Sequence, residues 1–190
     1  MAVTIDLAVA VIRGTDPTRF ADPSPCPDFT VGHLVGHLAF GFLLAERAGR
    51  RQGWEPDWDL TGVAPFLADA PPAGWAERAA EQGRATTEAW STPAAWEGPT
   101  TWAGMQNPAA TVGSLMIFEF TVHAWDLAVS TGQSLQPPAE LAAAVLEGAA
   151  AIAHSGRAMG WFGDEVPIGP DASALDRALA AAGRDPAWRP

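Results

Sequence analysis

The 190-residue chain contains no lysine and no tyrosine, and its single cysteine is Cys26. Without lysine no protein Schiff base can form, and without tyrosine no phenol is available. Acid–base chemistry therefore falls to histidines and carboxylates. A lone cysteine makes no internal disulfide and cannot build a sulfur-rich structural zinc site, and it agrees with a reducing compartment. Basic residues are scarce too. Eleven arginines against 22 acidic groups give a formal net charge of −11, and no basic cluster exceeds Arg50-Arg51. Phosphate recognition depends on many basic contacts, so nucleic acid is not an expected partner. The first residues lack a basic n-region and carry Asp6 and Arg13 within their apolar stretch, which argues against a secretory leader. The expected location is the cytoplasm. The most apolar run, Val112 to Val129, is interrupted by Glu119, His123 and Asp126, so membrane insertion is not expected either.

Alanine and leucine are abundant and β-branched runs are few, which favours an all-α fold, and the length suits one domain over residues 1–190. A first helix should break near Asp16-Pro17. Three prolines between Asp22 and Asp28 then make a stiff connector. Thr30 is a good N-cap for a second helix, Val31 to about Gly49, whose stripe is Val31, Leu34, Leu38, Phe42 and Ala45. A long connection from 52 to 72 precedes a partly exposed third helix, about Ala73 to Trp90. Residues 91–106 read as irregular, with short extended pieces around Trp96 and Trp102. Asn107-Pro108 reads as an N-cap followed by proline at the first helical position, opening a fourth helix that Gly132 ends. Pro137-Pro138 opens a fifth, Ala139 to about Ala158. An irregular tail over 161–190 holds a short helix from about Ala174 to Ala182, with Ser173 and Asp176 placed as a capping box and Gly183 as the stop.

The chemistry concentrates on the fourth helix. Glu119 and His123 are four residues apart on an apolar face, one turn above each other, so both can point at one spot. Alone, such a pair also fits an ordinary hydrogen-bonded core histidine. A buried carboxylate, however, needs a partner or a metal, and Arg13 or Arg47 would have to supply the ion pair. His37, on the second apolar helix, is a third candidate ligand. Two imidazoles and one carboxylate leave a position open on zinc, as catalytic sites do, and suit nickel or iron(II) as well. Asp126 either steadies the His123 imidazole or is a solvated charge near a helix end. His33, one turn before His37, is a candidate fourth ligand or an exposed first-turn residue. His154 reads as surface and Cys26 as packing; Trp102 and Trp161 sit on loops that could line a pocket.

The run Pro25-Cys26-Pro27-Asp28-Phe29-Thr30-Val31, continuing to His37-Leu38, resembles the start of the mycothiol-dependent maleylpyruvate isomerase N-terminal family, within the DinB-like superfamily. Val122-His123-Ala124-Trp125-Asp126-Leu127-Ala128 with Thr131-Gly132 is similar to a second segment of that family. The tail around Val166, Leu175 and Gly183 resembles a metal-binding subgroup seen mostly in actinobacteria. The resemblance implies a DinB-like four-helix bundle with an extra C-terminal helix and an irregular tail. It places a divalent metal, usually zinc, on His37, Glu119 and His123. It further implies a thiol-dependent transferase or isomerase in which mycothiol, activated as its thiolate at the metal, attacks a small electrophilic substrate.

Three departures stand out. His33 replaces the usual acidic residue three after the capping threonine, which removes the expected capping-box partner. Ala124 replaces a common glycine. A separate C-terminal domain like that of the full isomerase is not expected, so maleylpyruvate itself is not the expected substrate. Two other functions fit the same residues: a non-catalytic bundle that binds a metal or a small ligand, and a hydrolase using metal-bound hydroxide. Apolar helix faces would allow a homodimer, but no segment locates an interface.

Overall fold

The computed structural model describes residues 1–190 apart from 28, 56, 57, 59–62 and 103. Asp28 of the connector motif thus lies outside the described residues. Six helices are described: α1 (Ala2–Arg13), α2 (Val31–Gly49), α3 (Trp75–Ala89), α4 (Ala109–Ser130), α5 (Ala139–Ala158) and α6 (Ala174–Ala181). The only sheet among the described residues is a hairpin of β1 (Pro99–Trp102) and β2 (Met105–Pro108), in antiparallel register from Pro99 opposite Pro108 to Trp102 opposite Met105. The all-α expectation holds. α1 and α2 each pack on both α3 and α4, closing a four-helix bundle, while α5 lies on α4 and carries α6.

The expected α2 stripe is the core seam. Val31, Leu34, Leu38, Phe42 and Ala45 are all fully buried, and Phe42 meets Phe120 of α4 edge-on with ring centroids 4.9 Å apart. The same two helices come close because Gly41 has no side chain: a Cβ there would lie 2.8 Å from the Phe120 ring. α4 is long and apolar enough to span a membrane by composition, yet 72% of that window is buried within the protein. It is the central helix of the core.

Two local expectations need correction. The start of α4 is not an Asn107 cap. Asn107 and Pro108 belong to β2, the helix begins at Ala109, and the Asn107 amide donates to the carbonyls of Trp102 and Met105, where it braces the hairpin. Trp96 is not extended, because Pro93–Trp96 forms a 3-10 turn; Trp102 is on a strand as expected. The loss of the capping box at α2 also does not occur. Thr30 Oγ1 accepts from the His33 amide at 3.4 Å, while His33 Nδ1 accepts from the Thr30 amide at 3.3 Å, so a histidine ring does the work of the usual carboxylate.

The proline connector is tied to the head of α2. Val31 N–H donates to the Asp22 carbonyl, Gly32 N–H to that of Phe20, and Pro23 bridges Thr30. Ser24 Oγ donates to the Phe29 carbonyl at 2.6 Å and accepts from the Cys26 amide. This folds the Pro-Cys-Pro segment back on itself and directs Phe29 toward the bundle.

Candidate metal centre

α2 presents His37 and α4 presents Glu119 and His123 across the seam that Gly41 makes narrow. His37 Nε2 lies 3.0 Å from Glu119 Oε1, and His123 Nε2 lies 3.2 Å from the same oxygen. One ligand atom from each of the three residues falls within 4.8 Å of the others. The imidazoles meet edge-on with centroids 4.8 Å apart, and the Phe29 ring lies 5.1 Å from His37 and 6.0 Å from His123. Solvent reaches one side only: the side chains of His37 and Glu119 are 29% and 31% exposed, that of His123 only 8%.

The inner wall is charged. Asp126 is wholly buried one turn after His123, and its Oδ2 lies 3.0 Å from His123 Nδ1. Arg184, from beyond the end of α6, reaches the same carboxylate, with Nη2 3.2 Å from Oδ2 and Nε 3.4 Å from Oδ1. A buried carboxylate and a buried guanidinium thus compensate each other. No pattern in the sequence pointed to Arg184. The only local sign is its place directly after Gly183, where a helix-ending turn folds the chain back.

These surroundings set the protonation of the site. Burial disfavours a charged His123, but the Glu119 carboxylate and the hydrogen bonds to Asp126 and Glu119 prevail, and its pKa is pushed up to about 9. Burial likewise works against ionised Glu119, while the charge of His123 and bonds from both imidazoles hold its carboxyl well below the usual carboxylate range. The imidazolium of His123 is therefore clamped between two carboxylates. A proton occupies the position from which Nε2 would hold a cation.

The donor set fits such a cation. Zinc bonds of about 2.0–2.2 Å in a tetrahedral site set ligand atoms about 3.3–3.6 Å apart, close to the two contacts here. Two imidazoles and one carboxylate on one open face suit a catalytic rather than a closed structural site. The other candidates lie elsewhere. His33 is exposed, engaged in the α2 cap, and stands outside the cluster with its ring 6.3 Å from Phe29. His154 is exposed on α5, Cys26 is half-buried in the connector, Trp102 packs against Trp54, and Trp161 projects into solvent. A cavity of about 820 Å³ lies between the C-terminal half of α4 and the starts of α5 and α6, with Trp125, Leu135 and Leu175 in its walls; none of the three candidate ligands lines it.

Fold and site together define a DinB-like four-helix bundle with a candidate metal centre between its second and fourth helices. The model of the mycothiol maleylpyruvate isomerase N-terminal domain matches residues 4–128, and the chain belongs to that family. The crystal structure of a mycothiol-dependent maleylpyruvate isomerase is similar to it with a TM-score of 0.58 at 19% identity, over 95% of this chain and 85% of that one. Coverage of 95% of the chain carries that likeness past the family segment, which ends at residue 128. No curated protein matches the chain in sequence.

Proposed function

We propose that this chain is a divalent-metal-dependent enzyme that uses a thiol, mycothiol by family, to transfer to or isomerise a small electrophilic substrate. His37, Glu119 and His123 would hold the metal, with zinc the first candidate. The observation that carries this reading is the convergence of three donor atoms from two separate helices on one partly open spot. When bound, the metal supplies Lewis acidity that makes a thiol at the open position ionise near neutral pH. The chain's own residues do the rest. Asp126 accepts from His123 Nδ1–H and so leaves Nε2 as the nitrogen facing the centre. Glu119 supplies the negative charge, and Phe29 packs its ring beside both imidazoles. The absence of any lysine or tyrosine agrees with a reaction driven by an activated thiol.

Cobalt-substituted protein tests the thiol half. Mycothiol added to wild-type protein should produce a sulfur-to-cobalt charge-transfer band and shift the visible absorption, whereas His123→Ala should show neither. An unchanged spectrum in the wild type would leave metal binding standing and remove the thiol from the proposal.

A further inference from the structure

The candidate metal centre has a contributor from outside the segment that matches the family. Arg184 lies far beyond residue 128, on the C-terminal side of α6, and only 8% of its side chain is exposed. A helix-ending motif aims it. Arg184 N–H donates to the Leu179 carbonyl and Gly183 N–H to that of Ala180, the paired bonds of a Schellman turn. Gly183 adopts φ +78°, and a Cβ there would come within 2.8–2.9 Å of the Gly163 backbone, so the turn needs glycine for both conformation and space. The returned guanidinium donates through Nη1 to the Ala182 carbonyl at 3.0 Å and presents its Nε and Nη2 edge to Asp126. Asp126 is 0% exposed and Oδ2 is shared between Arg184 and His123 Nδ1. The chain of contacts therefore runs from the tail to the imidazole without a gap.

Resting on the reading of the site as a metal centre, we infer that Arg184 is a positioning residue: it orients Asp126, which orients His123, so that docking of residues 183–190 and metal binding at His37, Glu119 and His123 are coupled. Arg184 is not one of the three candidate ligands, and its side-chain hydrogen bonds go to Asp126 and the Ala182 carbonyl. It fixes the carboxylate whose other contact decides which ring nitrogen of His123 faces the centre. A bidentate guanidinium can set the plane of that carboxylate, which a point charge does less well.

The test compares Arg184→Met, Arg184→Lys, Asp126→Asn and the Asp126→Asn/Arg184→Met pair with wild type, reading cobalt affinity by chelator competition. Arg184→Met should weaken cobalt binding by about 10–100-fold, with Arg184→Lys between the two. The double variant should bind like Asp126→Asn alone, because Arg184 acts only through that carboxylate. Additive losses in the double variant, or unchanged affinity in Arg184→Met, would overturn the inference. If Arg184→Met does not fold, the double variant decides it, since removing both partners leaves no unpaired buried charge. Ring-nitrogen NMR shifts in the metal-free protein separate this inference from the metal reading. Arg184→Met should move the His123 signals and leave those of His37. Wild-type protein that binds no cobalt but shows this selective shift refutes the metal centre and keeps Arg184 as the residue that positions His123. Unmoved His123 signals would contradict the coupling whether or not metal binds.

Discussion

His37 and Glu119 stand 82 positions apart in the chain and on different helices, yet their Nε2 and Oε1 atoms meet at 3.0 Å. Without a metal that contact, and its counterpart from His123, gathers a protonated imidazole and a carboxylate in a partly buried site.

The first prediction concerns pH. His123 has its pKa raised from 6.5 to about 9 by folding, so it binds its proton more tightly in the native state. Its contribution, on the order of 3 kcal/mol, should be fully present below about pH 6.5 and be lost as pH rises through about 9. Glu119 is shifted the other way, and its contribution should be present above about pH 4.5 and fall away in stronger acid. Denaturant titrations of metal-free protein between pH 6 and 10 check the first sign. Metal must displace the same proton, so over this range affinity should rise with pH and binding should release protons into weak buffer, measurable with an indicator dye. A metal-free stability that does not fall toward pH 9 would count against the clamped imidazolium.

His33 separates cap from ligand. His33→Ala should cost about 0.5–1 kcal/mol through the lost half of the α2 capping box and leave the metal content unchanged. Thermal melts and metal analysis on the same sample decide it. Loss of metal in this variant would restore His33 as a fourth ligand.

Gly41 controls the spacing of the two ligand-bearing helices. Gly41→Ala forces a methyl to within 2.8 Å of the Phe120 ring and should destabilise the protein by about 1–3 kcal/mol. Because the displaced helices carry His37 and Glu119, metal affinity should fall with stability. Gly53→Ala meets nothing within 4 Å and should change neither, which makes it the control for both readouts.

Phe29 shields the imidazoles. Phe29→Ala removes a ring from a half-buried position and should cost about 1–2 kcal/mol, less than a fully buried phenylalanine. It should also speed diethylpyrocarbonate modification of His37 in the metal-free protein, followed by mass spectrometry.

The sequence made most of this arrangement legible, and the exceptions have physical causes. α2 and α5 run over the expected residues because Thr30 caps the first and Pro137-Pro138 precedes the second. Glu119 and His123 could be paired from their spacing alone, and His37 joined them because it sits on the other strongly apolar helix. The hairpin was legible only in its first strand, around Trp102; the second was hidden because strands of four residues carry too short an alternation and Asn107 has the same chemistry as a helix cap and as a turn brace. His33 misled in the opposite direction, since a ring nitrogen can accept a backbone hydrogen bond as a carboxylate oxygen does. Arg184 was invisible because local patterns do not record that a residue after the last helix folds back on Asp126, 58 positions earlier.

Metal stoichiometry tests the central claim most directly. Protein purified without added metal, loaded with zinc and dialysed should retain close to one equivalent per chain, and His37→Ala, Glu119→Ala and His123→Ala should each lose it while keeping their helical circular dichroism. Zinc retained equally by His123→Ala and wild type, or bound by neither, would contradict the account.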